Sequence, residues 1–132
     1  MPSLVIAYRT TRYRVWIGGQ PYDLRCEQRH PAVSAWLRAN HHTSLTCITA
    51  WNPGSRLQSR RRNQRAAARL TWQTRSHPRL PHLGLAQRGS WQEEGWALLS
   101  LTRHQALALA RRFHQRAVLW MVVGGVARIV GR

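Results

Sequence analysis

Apolar and polar residues alternate near the start of the chain, and this period of two is typical of β-strands. Residues 4–8 (LVIAY) and 13–17 (YRVWI) form two such runs, which are separated by RTTR. In the second run every other residue from Tyr13 falls on one face, and a Gly-Gly pair ends the run. The pattern therefore predicts two strands at the beginning of the fold.

Two later segments have apolar residues three and four positions apart, which is the spacing of an amphipathic helix. Residues 30–42 (HPAVSAWLRANHH) tolerate their proline because it falls in the first turn. Residues 102–116 (TRHQALALARRFHQR) begin with Thr102 and Gln105, a pair that forms a capping box at a helix start. Both segments are predicted to be helical.

The remaining apolar runs are short and are bounded by residues that favour turns. Residues 75–90 contain two prolines and two glycines and are predicted to form a loop, while Gly124-Gly125 predicts a two-residue hairpin. The strand-like runs are residues 44–51 (SLTCITAW), 96–101 (WALLSL), 117–123 (AVLWMVV) and 126–130 (VARIV).

A third helix is predicted after the sequence Asn-Pro-Gly-Ser, with Asn52 or Ser55 as its cap. Its inner side holds the small or apolar residues Asn63, Ala66, Ala67 and Leu70. The opposite side carries an arginine stripe, which consists of Arg61, Arg62, Arg65 and Arg69. No acidic residue one turn away relieves the repulsion between these arginines. With Arg56 and Arg60 just before it, the stripe is the predicted phosphate-binding surface, and the alternative is a solvated helix face.

These elements give the order β-β-α-β-α-β-α-β-β, which indicates an α+β fold with about three helices packed on a single mixed sheet. The length of 132 residues is typical of one domain, and a hydrophobic content of 43% is sufficient for a folded core. We therefore expect a single α+β domain over residues 1–132.

The charge composition points to a class of partner. Twenty-one arginines, no lysine and four acidic residues give a formal net charge of +17. A GC-rich genome accounts for the use of arginine alone, but such a bias does not exclude Asp or Glu. The scarcity of acids is therefore the stronger indication of a polyanionic partner, which surface carboxylates would repel.

Other features of the sequence bear on location and cofactors. The apolar run AVLWMVVGGVA has about half of the roughly 20 residues that a membrane span requires. Two cysteines make neither a disulfide framework nor a CxxC pair, and the spacing of Cys26 and His30 matches no metal-ligand pattern. We expect a cytoplasmic protein with no membrane span, no metal and no cofactor.

Five segments taken together resemble a known bacterial family, the domain of unknown function 3293. They are AYRTTRY, ITAWNPGS, WQEEGWALLSL, ALALARRFHQ and AVLW…GGVARIV, in this order from about Leu4 to Val130. TAWNP is the most specific of them. The resemblance implies a compact single-domain protein without an established activity. The polar motif positions of the family, carried over to this chain, are Thr49, Asn52, Asn63, Glu93 and Gln115.

These motif residues suggest a second candidate site, a small-ligand or enzymatic pocket. Asn52 lies where a strand ends and a helix begins, a common place for a ligand cleft, and Glu93 is a candidate general base. In the structural alternative, Asn52 stabilises its own Asn-Pro turn and Asn63 satisfies a neighbouring backbone group. Glu93 and Glu94 are adjacent on an extended chain, so they point to opposite faces and form no catalytic dyad.

Seven tryptophans offer surfaces on which bases could stack. Trp72 and Trp91 lie near predicted loop edges and are the stacking candidates, with Trp72 included in the predicted nucleic-acid site. The core pattern assigns burial to Trp36, Trp51, Trp96 and Trp120.

The leading hypothesis is a non-enzymatic nucleic-acid-binding protein that contacts phosphate through the arginine-rich helix. RNA or a ribonucleoprotein is favoured over specific duplex DNA, because no helix-turn-helix or zinc-finger pattern is present. Two alternatives remain open at this point. One is the pocket around the TAWNP motif, and the other is a module that docks on an acidic protein partner or assembly.

Overall fold

The structure, a computed structural model, describes residues 9–86 and 91–131. The predicted strand at residues 4–8 lies outside these ranges. The helices that lie wholly within them are α1 (Pro31–Ala39), α2 (Arg60–Gln73) and α3 (Arg103–Arg112), with a 3-10 turn at Pro53–Ser55. The strands are β1 (Arg12–Ile17), β2 (Gln20–Leu24), β3 (Ser44–Thr49), β4 (Arg79–Leu85), β5 (Gln92–Leu99), β6 (Ala117–Val122) and β7 (Arg128–Gly131).

The strands form one sheet in the order β2-β1-β4-β5-β3-β6-β7. The predicted α+β class, the single sheet, the three helices and the order of the predicted elements are confirmed. The sheet is antiparallel throughout rather than mixed. The strands β3 and β4, which α2 connects, are not neighbours, because β5 returns between them and runs opposite to both.

The strand β4 lies inside the segment that was predicted to be a loop. Burial alternates along this strand, since His82 and Gly84 are buried while Pro81 is exposed. The proline and the glycine made the segment resemble a loop. Pro81 is tolerated because the β1–β4 ladder begins only at His82, so no residue of β1 pairs with the proline. The prediction of a loop over the whole of residues 75–90 was therefore wrong.

A tight hairpin joins β1 to β2, with Ile17 paired to Gln20 across Gly18 and Gly19. Both glycines have positive φ, 58° and 80°, which favours glycine at the two central positions of such a turn. The C-terminal hairpin is wider than predicted. Its ladder ends at Trp120 and Arg128, so more residues than the Gly-Gly pair make the connection.

Helices cover both faces of the sheet. Val33 and Leu37 of α1 pack on one face with alternate sheet residues such as Leu45 and Leu119. The helices α2 and α3 pack on the other face, where small residues allow close approach. The buried residues of that second core are Ile48, Ala50, Ala66, Leu70, Leu98, Leu101, Ala106, Ala110, Phe113, Val118 and Val130.

The starts of α2 and α3 are capped by side chains. The predicted capping box of α3 is present, since Thr102 Oγ1 accepts from Gln105 N–H and Gln105 Oε1 accepts from Thr102 N–H. Ser59, rather than Asn52 or Ser55, caps α2, and its Oγ accepts from Arg62 N–H at 3.2 Å. The predicted cap failed because the Pro53–Ser55 turn and the four residues 56–59 lie between Asn52 and the first residue of the helix.

Both cysteines are free thiols, Cys47 buried and Cys26 partly buried, and burial raises the pKa of each. Within the described ranges, no three His, Cys, Asp or Glu side chains lie close enough together to hold a metal ion. Across the same residues, no helix has both the length and the apolar character needed to cross a membrane.

Candidate functional site

The arginine stripe lies on the outer surface of α2. Asn63, Ala66 and Leu70 face the sheet and are buried, whereas every member of the stripe is exposed. Arg56 and Arg60, at the approach to the helix, are exposed as well. The helix therefore presents guanidinium groups to solvent along its whole length, because its other side is committed to the core.

None of the four carboxylate side chains of the sequence forms a salt bridge with an arginine of this helix. Asp23 accepts from Arg14 at 2.7 and 3.1 Å and lies 3.5 Å from Arg12, and these arginines hold its pKa below the usual value. Glu27 pairs with Arg9 at 3.2 Å. Glu93 is buried, and Glu94 is exposed but forms no salt bridge with the described arginines.

Among the residues that the structure describes, no negative charge therefore pairs with an arginine of α2. Arg62 Nη1 donates to Gln58 Oε1 at 3.4 Å, but this acceptor carries no charge. Three arginines occupy the first turn, where the helix dipole is already positive and no acid is present. The dipole and the guanidinium groups add to one positive potential at this end of the helix, which favours an anion there.

The two stacking candidates differ in position. Trp72 lies in the last turn of α2, next to the loop that follows, and its exposed fraction of 65% is large for a tryptophan. Trp91 precedes β5 and is 42% exposed. Trp72 is thus on the same helix as the arginines, whereas Trp91 belongs to the end of the β4–β5 hairpin.

The polar motif residues gather at a second place, the turn after β3. Asn52 has left-handed φ and ψ of 49° and 58°, a conformation that asparagine tolerates better than most residues. Its Oδ1 accepts from Asn63 Nδ2 and from Gln58 N–H, each at 3.0 Å, and its own N–H donates to Asn63 Oδ1 at 2.8 Å. The two asparagines thus fix the path of the chain into α2.

Two further motif residues hold the same turn through Trp51. Thr49 Oγ1 accepts from Trp51 N–H at 3.1 Å and donates to the Glu94 carbonyl oxygen at 2.7 Å. Gln115 Nε2 donates to the Trp51 carbonyl oxygen at 3.1 Å, which ties the end of α3 to this turn. The structure therefore brings all five predicted pocket residues together, and the amide groups bind one another and the backbone.

Glu93 is the ionisable member of this group and is only 8% exposed. Its Oε1 accepts from Asn52 Nδ2 at 3.0 Å. Burial raises the pKa of Glu93 to about 7, although the Asn52 hydrogen bond opposes the shift. A carboxyl group with this pKa changes charge near neutral pH, which is a property of general acids and bases.

Sequence reasoning missed His82, which lies beside this region in β4. His82 pairs with Gly95 and Glu93 with Gly84, two positions along the ladder, so the two titratable side chains lie on the same face of the sheet. Neither ring nitrogen of His82 has a hydrogen-bond partner among the described residues, and burial lowers its pKa to about 3. The strand that carries His82 was predicted to be a loop, so no pattern in the sequence drew attention to it.

A model of the family described as "Protein of unknown function (DUF3293)" matches residues 48–118. The match contains the turn after β3, the whole of α2 and Glu93, and so covers both candidate sites. No curated protein and no solved structure shows significant similarity to the chain.

Proposed function

The chain belongs to the DUF3293 family of proteins of unknown function, and we propose that this member is a non-enzymatic nucleic-acid-binding protein. Its ligand is RNA or a ribonucleoprotein, and the arginine stripe of α2 contacts the phosphates. The bacterial, cytoplasmic setting expected from the sequence belongs to the same proposal. The observation that carries it is the exposed stripe on a helix that none of the four carboxylate side chains neutralises.

The net charge of the chain and the spacing of its arginines favour a polyanion over a single small anion. A chain with a net charge of +17 destabilises itself by repulsion unless an anionic partner is present. Arginines one helical turn apart are spaced by about 6 Å along the axis, and each guanidinium fork can bind one phosphate group with two hydrogen bonds. A phosphate backbone supplies such groups in series, which a small ligand does not.

The test compares two charge reversals that change the net charge equally. Arg65 lies in the stripe, whereas Arg38 is exposed at the end of α1 on the opposite face of the sheet. We expect Arg65→Glu to weaken the binding of a labelled RNA in a fluorescence anisotropy titration by at least several-fold more than Arg38→Glu. Equal effects of the two reversals, or no binding of RNA or DNA to the wild type at low salt, would reject the proposal.

A second candidate function rests on Glu93. The buried carboxyl, its pKa of about 7 and the surrounding motif residues favour a small-ligand or enzymatic pocket at the turn after β3. This candidate ranks lower because the motif amides already satisfy one another. Loss of a cellular phenotype with Glu93→Gln, while RNA binding is unchanged, would favour it over the first function.

An acidic protein partner is the remaining competitor for the arginine surface. Freshly purified protein distinguishes the two kinds of partner by its ultraviolet absorbance ratio before and after nuclease treatment. Bound nucleic acid raises the ratio of absorbance at the nucleic-acid maximum to absorbance at the protein maximum. Nuclease treatment lowers this ratio again. If the material that co-elutes is protein and resists nuclease, the partner of the arginine surface is an acidic protein and not a nucleic acid.

A further inference from the structure

Trp72 lies in line with the arginine stripe rather than beside it. Successive residues of an α-helix are rotated by about 100°, so Arg65, Arg69 and Trp72 lie at about 40°, 80° and 20° from Arg61. The angular position of the indole is thus inside the range covered by the guanidinium groups. The stripe ends on an aromatic ring about 16 Å along the axis from Arg61.

The exposed ring is held in place by a cation. The guanidinium carbon of Arg75 lies 3.8 Å from the centroid of the Trp72 ring, and Arg75 Nη1 donates to the Trp72 carbonyl oxygen at 2.7 Å. Arg75 covers one side of the indole, yet 65% of the residue is exposed. We call this pair the Trp72 platform, a flat apolar surface with a positive charge on one side.

The end of the helix that carries the platform is fastened to the sheet. Trp96 Nε1 donates to Thr71 Oγ1 at 2.9 Å, and Arg79 stacks 3.8 Å from the centroid of the Trp96 ring. Arg79 Nη1 also donates to the Thr71 carbonyl oxygen at 2.8 Å and to Thr74 Oγ1 at 2.9 Å. These bonds fix the last turn of α2, so a ligand does not have to order the platform when it binds.

We propose that the Trp72 platform stacks an unpaired base and that the ligand of this surface is single-stranded nucleic acid. This inference rests on the proposed function and makes it more specific. In a duplex the bases stack on each other and their faces are covered, so an indole within a phosphate-binding stripe has no base face to contact. In a single strand, bases can turn onto an aromatic ring while the backbone follows neighbouring cations.

The experiment measures anisotropy with matched single-stranded and duplex oligonucleotides, each as RNA and as DNA, for the wild type and two variants. Trp72→Phe keeps an aromatic ring, and Trp72→Leu keeps a large apolar side chain without one. We expect the wild type to prefer the single strands. Trp72→Leu should lower single-strand affinity by about 5- to 150-fold, the loss associated with one stacked base, whereas Trp72→Phe should retain most of it.

The outcomes distinguish failure of the Trp72 platform from failure of the proposed function. If Trp72→Leu leaves single-strand affinity unchanged while Arg65→Glu still weakens it, the platform is wrong and the proposed function stands. If Trp72→Leu and Trp72→Phe weaken single strands and duplexes alike, the side chain only supports the helix and the inference is again wrong. If the wild type binds none of the four oligonucleotides, the proposed function itself fails. Preference for RNA over DNA single strands, or the reverse, assigns the source of the ligand.

Discussion

At the scale of the residue, Asn52 binds several parts of the fold at once. It adopts a left-handed backbone conformation, forms two hydrogen bonds with Asn63, accepts from the Gln58 N–H and donates to Glu93. Its position between β3 and α2 thus connects a titratable carboxyl to the loop that leads into the arginine helix. The same Asn52 side chain therefore contacts the carboxyl group that titrates and the backbone that leads into α2.

The first prediction concerns the pH dependence of stability at Glu93. Its folded-state pKa of about 7 lies above the ordinary value of 4.5, so its contribution to stability is complete below pH 4.5 and is lost as the pH rises through 7. The cost of ionising the buried carboxyl is about 3 kcal/mol. Glu93→Gln cannot ionise and should therefore exceed the wild type in free energy of unfolding at pH 8 by up to this amount.

Urea denaturation at several pH values measures this difference. The two proteins should converge towards pH 4.5, because wild-type Glu93 is then protonated as well. His82 has a folded pKa of about 3, below its ordinary 6.5, so it destabilises the fold as the pH falls from 6.5 towards 3, but it does so in both proteins. A constant difference between wild type and variant over this range would show that Glu93 does not titrate near neutrality.

At the scale of the element, β3 and β5 lie so close together at Gly95 that a side chain has no room there. A Cβ at this position would overlap the Ile48 carbonyl oxygen and lie 2.8 Å from the Ile48 carbonyl carbon, so backbone would have to move. At Gly84, on the neighbouring strand β4, an added Cβ meets its nearest atoms at 3.7–4.0 Å, which is ordinary contact. Neither glycine has the positive φ that would add strain.

The second prediction compares these two glycines. We expect Gly95→Ala to destabilise the fold by about 3 kcal/mol or more, because overpacking against a backbone cannot relax by a change of rotamer. Gly84→Ala should cost less than about 1 kcal/mol, since a strand interior accepts alanine. Thermal unfolding of both variants measures the contrast. Equal losses, or a stable Gly95→Ala protein, would contradict the register of β3 and β5.

The elements that the sequence predicted well are those with one dominant pattern. The helix α2 was placed with its buried side correct at Asn63, Ala66 and Leu70, because its period is strong and its outer face is uniformly charged. The strands β2 and β4 were missed for the opposite reason. Their prolines and glycine are typical of loops, and these two segments are extended because they pair with neighbouring strands. Non-local pairing of this kind is absent from any local pattern.

At the scale of the whole molecule, the two candidate sites differ in charge but meet at the turn that leads into α2. The sequence and the family resemblance named both the arginine stripe and the motif residues. Neither indicated that Asn52 and Asn63 join the sites through a shared turn, or that Arg75 would stack on Trp72. These contacts depend on where α2 lies on the sheet, which follows from tertiary packing of its small residues against β5.

Nucleic-acid binding by this protein requires that phosphate groups neutralise the arginines of α2. Counterion release makes the logarithm of the binding constant fall linearly with the logarithm of salt concentration, by about 0.7 for each phosphate neutralised on a single strand. If about six phosphates are neutralised, the slope should be near −4 for single strands and near −5 for duplexes. A slope therefore counts the arginine contacts, whatever their individual strength.

The most direct test is the salt dependence of single-strand binding by the triple variant Arg61→Glu, Arg65→Glu and Arg69→Glu, compared with the wild type. Removal of three phosphate contacts should make the slope shallower by about 2, while circular dichroism shows the fold intact. An unchanged slope in a folded triple variant would mean that α2 does not meet the phosphate backbone, and would contradict the account.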